Sequence, residues 1–109
     1  MARSPRLFIL GAIYHVYCRT ARGEMVFADP DHAAEFVEIV ADVKRLHGFE
    51  IFAWCLMGNH YHLVIRTHQT PLWRSMARIQ CRVAREHNRR RRLLGRLWQS
   101  RYKARIVRG

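Results

Sequence analysis

Two strand-like runs, "FEIFAWCLM" and "HYHLVIRT", stand on either side of the pair Gly58-Asn59. Both runs are dense in β-branched and aromatic residues, and both residues of the pair tolerate positive φ, so the segment predicts a β-hairpin. An antiparallel pair near the middle of a chain of 109 residues leaves room for one core and little else. The neighbouring segments must therefore cover or extend this hairpin.

On the N-terminal side, "IYHVYCRT" (residues 13–20) reads as a strand after the breaker Gly11. Asp29 before Pro30 is a cap followed by proline at a first helical position, and Gly48 suits the residue just past a helix end. Between them Ala33, Phe36, Val37, Val40 and Val43 recur at helical spacing. After the hairpin, Thr70 and Pro71 repeat the start signal for a helix running to about Asn88, and "LWQSRYKARIV" reads as extended. The order β-α-β-β-α-β predicts an α+β fold, a ferredoxin-like sandwich with an antiparallel sheet and helices on one face. In it the first and third strands are central neighbours, and the open sheet face or the seam beside the second helix receives the ligand.

Charge narrows the partner. The formal net charge is +12, and lysine supplies only two of the twenty cations. After Glu50 one acid remains, Glu86, while thirteen cations lie from Arg74 onward. Arginine forks match phosphate geometry, so this segregation predicts a polyanionic partner. On the second helix Leu72, Met76, Ile79 and Val83 form an apolar stripe, and Arg74, Arg78, Arg82, Arg85 and Arg89 fall within an arc of about 80° on the other side. These arginines, with Arg90, Arg91, Arg92, Arg96, Arg101 and Lys103, are the candidate nucleic-acid contacts. Trp98 is a candidate for base stacking or for the core.

No stretch is long and apolar enough for a membrane span, and the apolar run in "MARSPRLFIL" is too short for a secretory leader, so a cytoplasmic location with no membrane partner is the expectation. Three cysteines without a Cys-x-x-Cys pair argue against a disulfide framework and against a zinc ribbon; reduced core residues are expected.

The chemistry-bearing element is "GNHYHLVI". Residues i and i+2 of a strand point to one side, so His60 and His62 share a face and Tyr61 takes the other. Two imidazoles fixed on a strand can supply two ligands of a divalent metal, leaving positions for a phosphate oxygen. They can equally form a hydrogen-bonded strand feature.

Four segments, "GAIYHVYCRT", "WCLMGNHYHLVI", "NRRRR" and "GRLWQSRYKA", resemble in order and spacing the signatures of the single-tyrosine HUH transposases, and among them the REP-associated tyrosine transposases. The resemblance spans roughly residues 1–105. Met57, Asn59, His60 and His62 match a Met-Pro-Asn-His-x-His pattern, with Gly58 in the proline's place. It implies an IS200-like transposase domain over residues 1–109 without its usual C-terminal continuation, often dimeric, acting on single-stranded hairpin DNA. It implies Mg²⁺ or Mn²⁺ on His60 and His62, with a third ligand from the following helix: Asn88, or its rivals Gln80 and Glu86. It also implies a tyrosine nucleophile a little over one helical turn before Asn88, where this chain has Val83. Three readings stay open: a relative that binds DNA or RNA hairpins without cleaving, another hydroxyl such as Tyr102 or Tyr61, or a shifted helix register.

Overall fold

The structure, a computed structural model, describes residue 9 and residues 11–107. Most of the N-terminal segment weighed as a leader lies outside them. The elements run β1 (Ile13–Arg19), α1 (Pro30–His47), β2 (Glu50–Leu56), β3 (His60–Arg66), α2 (Leu72–Arg91) and β4 (Lys103–Ile106), with two short 3-10 turns, Ala21–Gly23 and Val26–Ala28, before α1. The sheet order is β2-β3-β1-β4, and each adjacent pair is antiparallel. That is the ferredoxin-like arrangement the element order predicts, with β1 and β3 in the centre.

Period-2 alternation sorts the central strands by face. Tyr14, Val16 and Cys18 of β1 and Tyr61, Leu63 and Ile65 of β3 are buried. They form one core with Phe36, Ile39, Val40 and Val43 of α1 and Leu72, Met76, Ile79 and Val83 of α2. His15, Tyr17, His60, His62 and Val64 alternate with them and are half-buried on the face that carries no helix. Burying one face and wetting the other is the usual arrangement of an antiparallel sheet.

The first helix starts and stops as its signals require. The Asp29 side chain accepts from Asp31 N–H at 2.8 Å, Pro30 opens the helix, and Gly48 ends it at φ 76° while donating to Lys44 O at 2.8 Å. Its apolar stripe includes Ile39, while Val37 is turned outward and 40 % exposed. The second helix begins one residue later than Thr70 suggests: Pro71, extended at ψ 150°, is its N-cap, and no side chain caps it. The last strand is only four residues long, because Leu97, Trp98 and Tyr102 before it turn into the core.

The hairpin forms, but not through the positive φ expected of Gly58-Asn59. Neither residue adopts it. The loop spans three residues, Met57 to Asn59, and is closed by Met57 N–H on His60 O at 2.8 Å. The glycine serves space instead: a Cβ at position 58 would lie 2.2 Å from Met25 Cε. The cysteines also depart from expectation. All three are free thiols and Cys18 is buried, but Cys55 and Cys81 are exposed, on edge strand β2 and on the outer side of α2.

Candidate metal and nucleic-acid site on the open sheet face

His60 and His62 share the open face, their ring centroids 5.1 Å apart and their planes at 84°. Each has its Nδ1 engaged. Asn59 Oδ1 lies 2.8 Å from His60 Nδ1, and a carboxamide oxygen only accepts, so His60 donates from Nδ1 and keeps a lone pair on Nε2. His62 Nδ1 lies 2.9 Å from Nε2 of His15 on the neighbouring strand. Holding one ring nitrogen of each histidine is how proteins aim the other at a metal. Asn59 is itself fixed, because its carbonyl accepts from Thr20 N–H at 2.9 Å and Thr20 Oγ1 at 3.2 Å.

Register extends the face. Cross-strand partners place Cys55, His62, Tyr17 and Lys103 in one row over the four strands, Val64, His15 and Arg105 in the next, and Arg19 opposite His60. The rings of His15, Tyr17 and His62 stack, with centroids 5.2 to 5.8 Å apart and tilts of 16° to 29°. Burial, then the neighbouring His15 and His60, holds the His62 pKa below its ordinary value, which favours the neutral ring that a metal needs. Among the described residues no three His, Cys, Asp or Glu side chains converge as a metal cluster, so the donor set here is a pair of imidazoles. That fits part of a divalent ion's shell, with the rest left to water or phosphate oxygen.

The helix-borne candidates lie elsewhere. Asn88 Nδ2 donates to Gly95 O at 3.0 Å and lines a recess with Arg22, Glu24 and Arg96 at the end of α2. Gln80 Nε2 donates to the Tyr61 hydroxyl at 2.9 Å, and Glu86 pairs with Arg89 at 2.6 Å and Arg90 at 3.8 Å. Val83 is 3 % exposed, packed in the core on the far side of the sheet from the histidines. Tyr61 is fully buried on that side, its pKa raised well above the phenol range by desolvation. Tyr102 is 7 % exposed, and Tyr14 is buried too. Tyr17 is the described tyrosine that shares the face of the pair.

The arginines divide among three situations. Arg74, Arg78 and Arg85 are exposed on the outer side of α2, Arg74 5.3 Å above the Trp73 ring. Arg82 bonds Asp42 of α1 at 3.2 Å, Arg89 bonds Glu86, and Arg90 forms an ion pair with Glu35 at 3.0 Å, so three of the expected phosphate ligands hold acids within the fold. Arg91 is half-buried, Arg92 caps the helix at φ 53°, and Arg96 is exposed. Arg101 and Lys103 lie with Arg19 beside Tyr17. Trp98 joins the core: its ring packs near Phe27 and Tyr61, and Nε1 donates to Gln80 O at 3.0 Å. The sequence reading missed the His15 contact. Its signal was available in the pairing of β1 with β3, since both strands alternate and both place a histidine on the outward phase.

A four-stranded antiparallel sheet with two helices packed on one face is an α+β fold shared with solved transposase structures. The chain belongs to the IS200-like transposase family, whose family model matches residues 9–109. No curated protein sequence matches it. Among solved structures it is similar to a REP-associated tyrosine transposase bound to a REP hairpin, at TM-score 0.82 and 19 % identity, over 100 % of this chain and 64 % of that one. It is also similar to a transposase candidate from Deinococcus radiodurans R1, at TM-score 0.73 and 21 % identity, over 98 % of this chain and 87 % of that one. This chain thus spans under two thirds of the hairpin-bound structure's length.

Proposed function

We propose that the protein binds single-stranded, hairpin-forming DNA across its open sheet face, with a divalent ion held by Nε2 of His60 and of His62, in the service of the strand cleavage and rejoining that the family carries out through a phosphotyrosine. The observation that carries this reading is that both histidines have Nδ1 engaged and their second nitrogens left over on a face lined with cations and no helix. A bound ion supplies charge that offsets the negative charge developing on a phosphate oxygen. Of the two ions the family uses, Mn²⁺ suits an imidazole pair better than Mg²⁺, which prefers oxygen ligands. His15 and Asn59 orient the ligating rings, and Arg19, Lys103 and Arg105 on the same face attract the phosphate backbone. The described residues include no helix that crosses a membrane. A homodimer is part of the proposal. Trp54 and Phe52 on edge strand β2, 58 % and 53 % exposed, are the surface it would cover.

One observation favours a second reading, in which the protein holds a DNA or RNA hairpin without cutting it: α2 carries no tyrosine, and Tyr14, Tyr61 and Tyr102 are buried. One experiment separates the two. The protein is mixed with hairpin-flanked single-stranded DNA and Mn²⁺ and run on a denaturing gel. A covalent adduct that disappears in the His60→Ala, His62→Ala variant supports strand transfer. Binding without an adduct supports the second reading, and an absence of binding at low salt both to this DNA and to an RNA hairpin removes both.

A further inference from the structure

Beside the histidine pair, between the end of β1 and the start of β4, lies a recess of about 270 Å³ lined by Tyr17, Cys18, Arg19, Ser100, Arg101 and Lys103. We infer that it is a nucleotide subsite in which Tyr17 stacks on one base of a single strand and Arg19, Arg101 and Lys103 hold the adjoining phosphates. This rests on the reading that the open face meets single-stranded DNA, and it names where on that face the strand is gripped.

Three features carry it. The recess is built in advance: Gln99 N–H donates to Arg19 O at 2.9 Å, Thr20 bridges Trp98, and the Cys18 thiol donates to Ser100 O at 3.4 Å, which clamps the segment 98–100 to the strand. Its cations are unspent. Among the described residues none of Arg19, Arg101 and Lys103 is in an ion pair, and no carboxylate lines the recess, whereas Arg82, Arg89 and Arg90 on α2 are each paired. Close like charges with no counter-charge lower the cost of drawing in a phosphate. Finally, the recess abuts the candidate metal ligands in register. Tyr17 faces His62 and Arg19 faces His60 across the β1–β3 pair, so a strand lying in the recess continues onto the histidines. An aromatic ring beside a cationic groove is the common means of holding single strands without reading their sequence.

The test uses the whole chain and a fluorescein-labelled tetrathymidylate, titrated by anisotropy without metal at several salt concentrations. Tyr17→Leu is expected to weaken binding by about 5- to 150-fold, the range of one lost base stack, while Tyr17→Phe binds nearly as the parent does. Arg101→Ala with Lys103→Ala is expected to flatten the slope of log affinity against log salt by about 1.4, two single-strand phosphate contacts. Arg74→Ala with Arg78→Ala, on the opposite side of the molecule, leaves the slope as it was. If tetrathymidylate binds and Tyr17→Leu changes nothing, or the α2 pair takes the slope instead, the subsite is wrong while DNA binding by the protein stands. If neither tetrathymidylate nor a hairpin binds at low salt, the broader reading fails with it. Thymidine 5′-monophosphate binding as tightly as the tetranucleotide also overturns the proposal, because it would mark a free-nucleotide site.

Discussion

His15 Nε2 lies 2.9 Å from His62 Nδ1, joining the two central strands at the one point where a candidate ligand needs a fixed tautomer. His62 presents Nε2 as a ligand when Nδ1 carries the proton, and that tautomer uses His15 Nε2 as the acceptor across the two strands. Removing the acceptor, as in His15→Phe, is expected to weaken Mn²⁺ binding by about 10- to 100-fold, measured by calorimetry. A second readout needs no metal. Nitrogen NMR of the rings should show His62 losing its Nδ1–H form in the variant, and an unchanged tautomer would remove His15 from this role.

Val83 lies in the core, so a tyrosine there restores no chemistry. Val83→Tyr is expected to overpack the α2–sheet interface at a cost of about 1–3 kcal/mol, read by denaturant unfolding. No adduct with DNA should appear. An adduct from this variant would mean that α2 can reach the open face, and the placement of the site would have to be redrawn.

Glu35 is 7 % exposed and forms an ion pair with Arg90 at 3.0 Å, linking the two helices. Burial raises its pKa, and Arg90 opposes that. Arg90→Ala leaves a buried carboxylate without its cation and should destabilise the fold by about 1–3 kcal/mol, more than Arg85→Ala, whose side chain is exposed. Equal midpoints for the two variants in urea would contradict the role given to Arg90.

His87 is buried, its Nδ1 has no hydrogen-bond partner, and desolvation lowers its pKa despite the opposing charge of Glu24. The sign follows from proton counting. Above the ordinary histidine pKa of about 6.5 both folded and unfolded forms are neutral; below it the unfolded chain takes a proton that the folded chain resists, so stability falls with pH until the lowered pKa is reached. His87→Phe should flatten that part of the stability–pH curve, and a curve equally steep in the variant would remove His87 from this role. Thermal melts between pH 7.5 and 5 decide the matter.

Gly58→Ala should cost less than about 1 kcal/mol. The atom its Cβ would meet is the far end of Met25, a side chain 61 % exposed and free to swing away. If the thermal midpoint falls by far more, then the turn and not Met25 sets the requirement for glycine.

Much of this architecture is legible in the chain because local signals and burial agree. Asp29-Pro30 and Gly48 bound α1 as their stereochemistry demands, the alternation of β1 and β3 separates core from open face, and the outward phase of His60 and His62 follows from the period of a strand alone. The positive charge of the C-terminal half is likewise a property of composition, and so is the absence of a tyrosine from α2.

What the sequence could not carry is the assignment of each side chain to a partner far along the chain. Arginines spaced evenly on a helix look equivalent, yet Arg82 and Arg90 face the acids of α1 while Arg74 and Arg78 face solvent, because helix packing and not helical period decides which flank is inward. The Gly-Asn pair predicts a hairpin correctly, but the turn takes no positive φ, and the neighbour of Gly58 is Met25, a residue far back in the chain. Above all, the helices cover one sheet face only. That single fact of packing puts Val83, Asn88 and most of the arginines away from the histidines, and gathers His15, Tyr17, Arg19 and Lys103 beside them across strands that sequence separation keeps far apart.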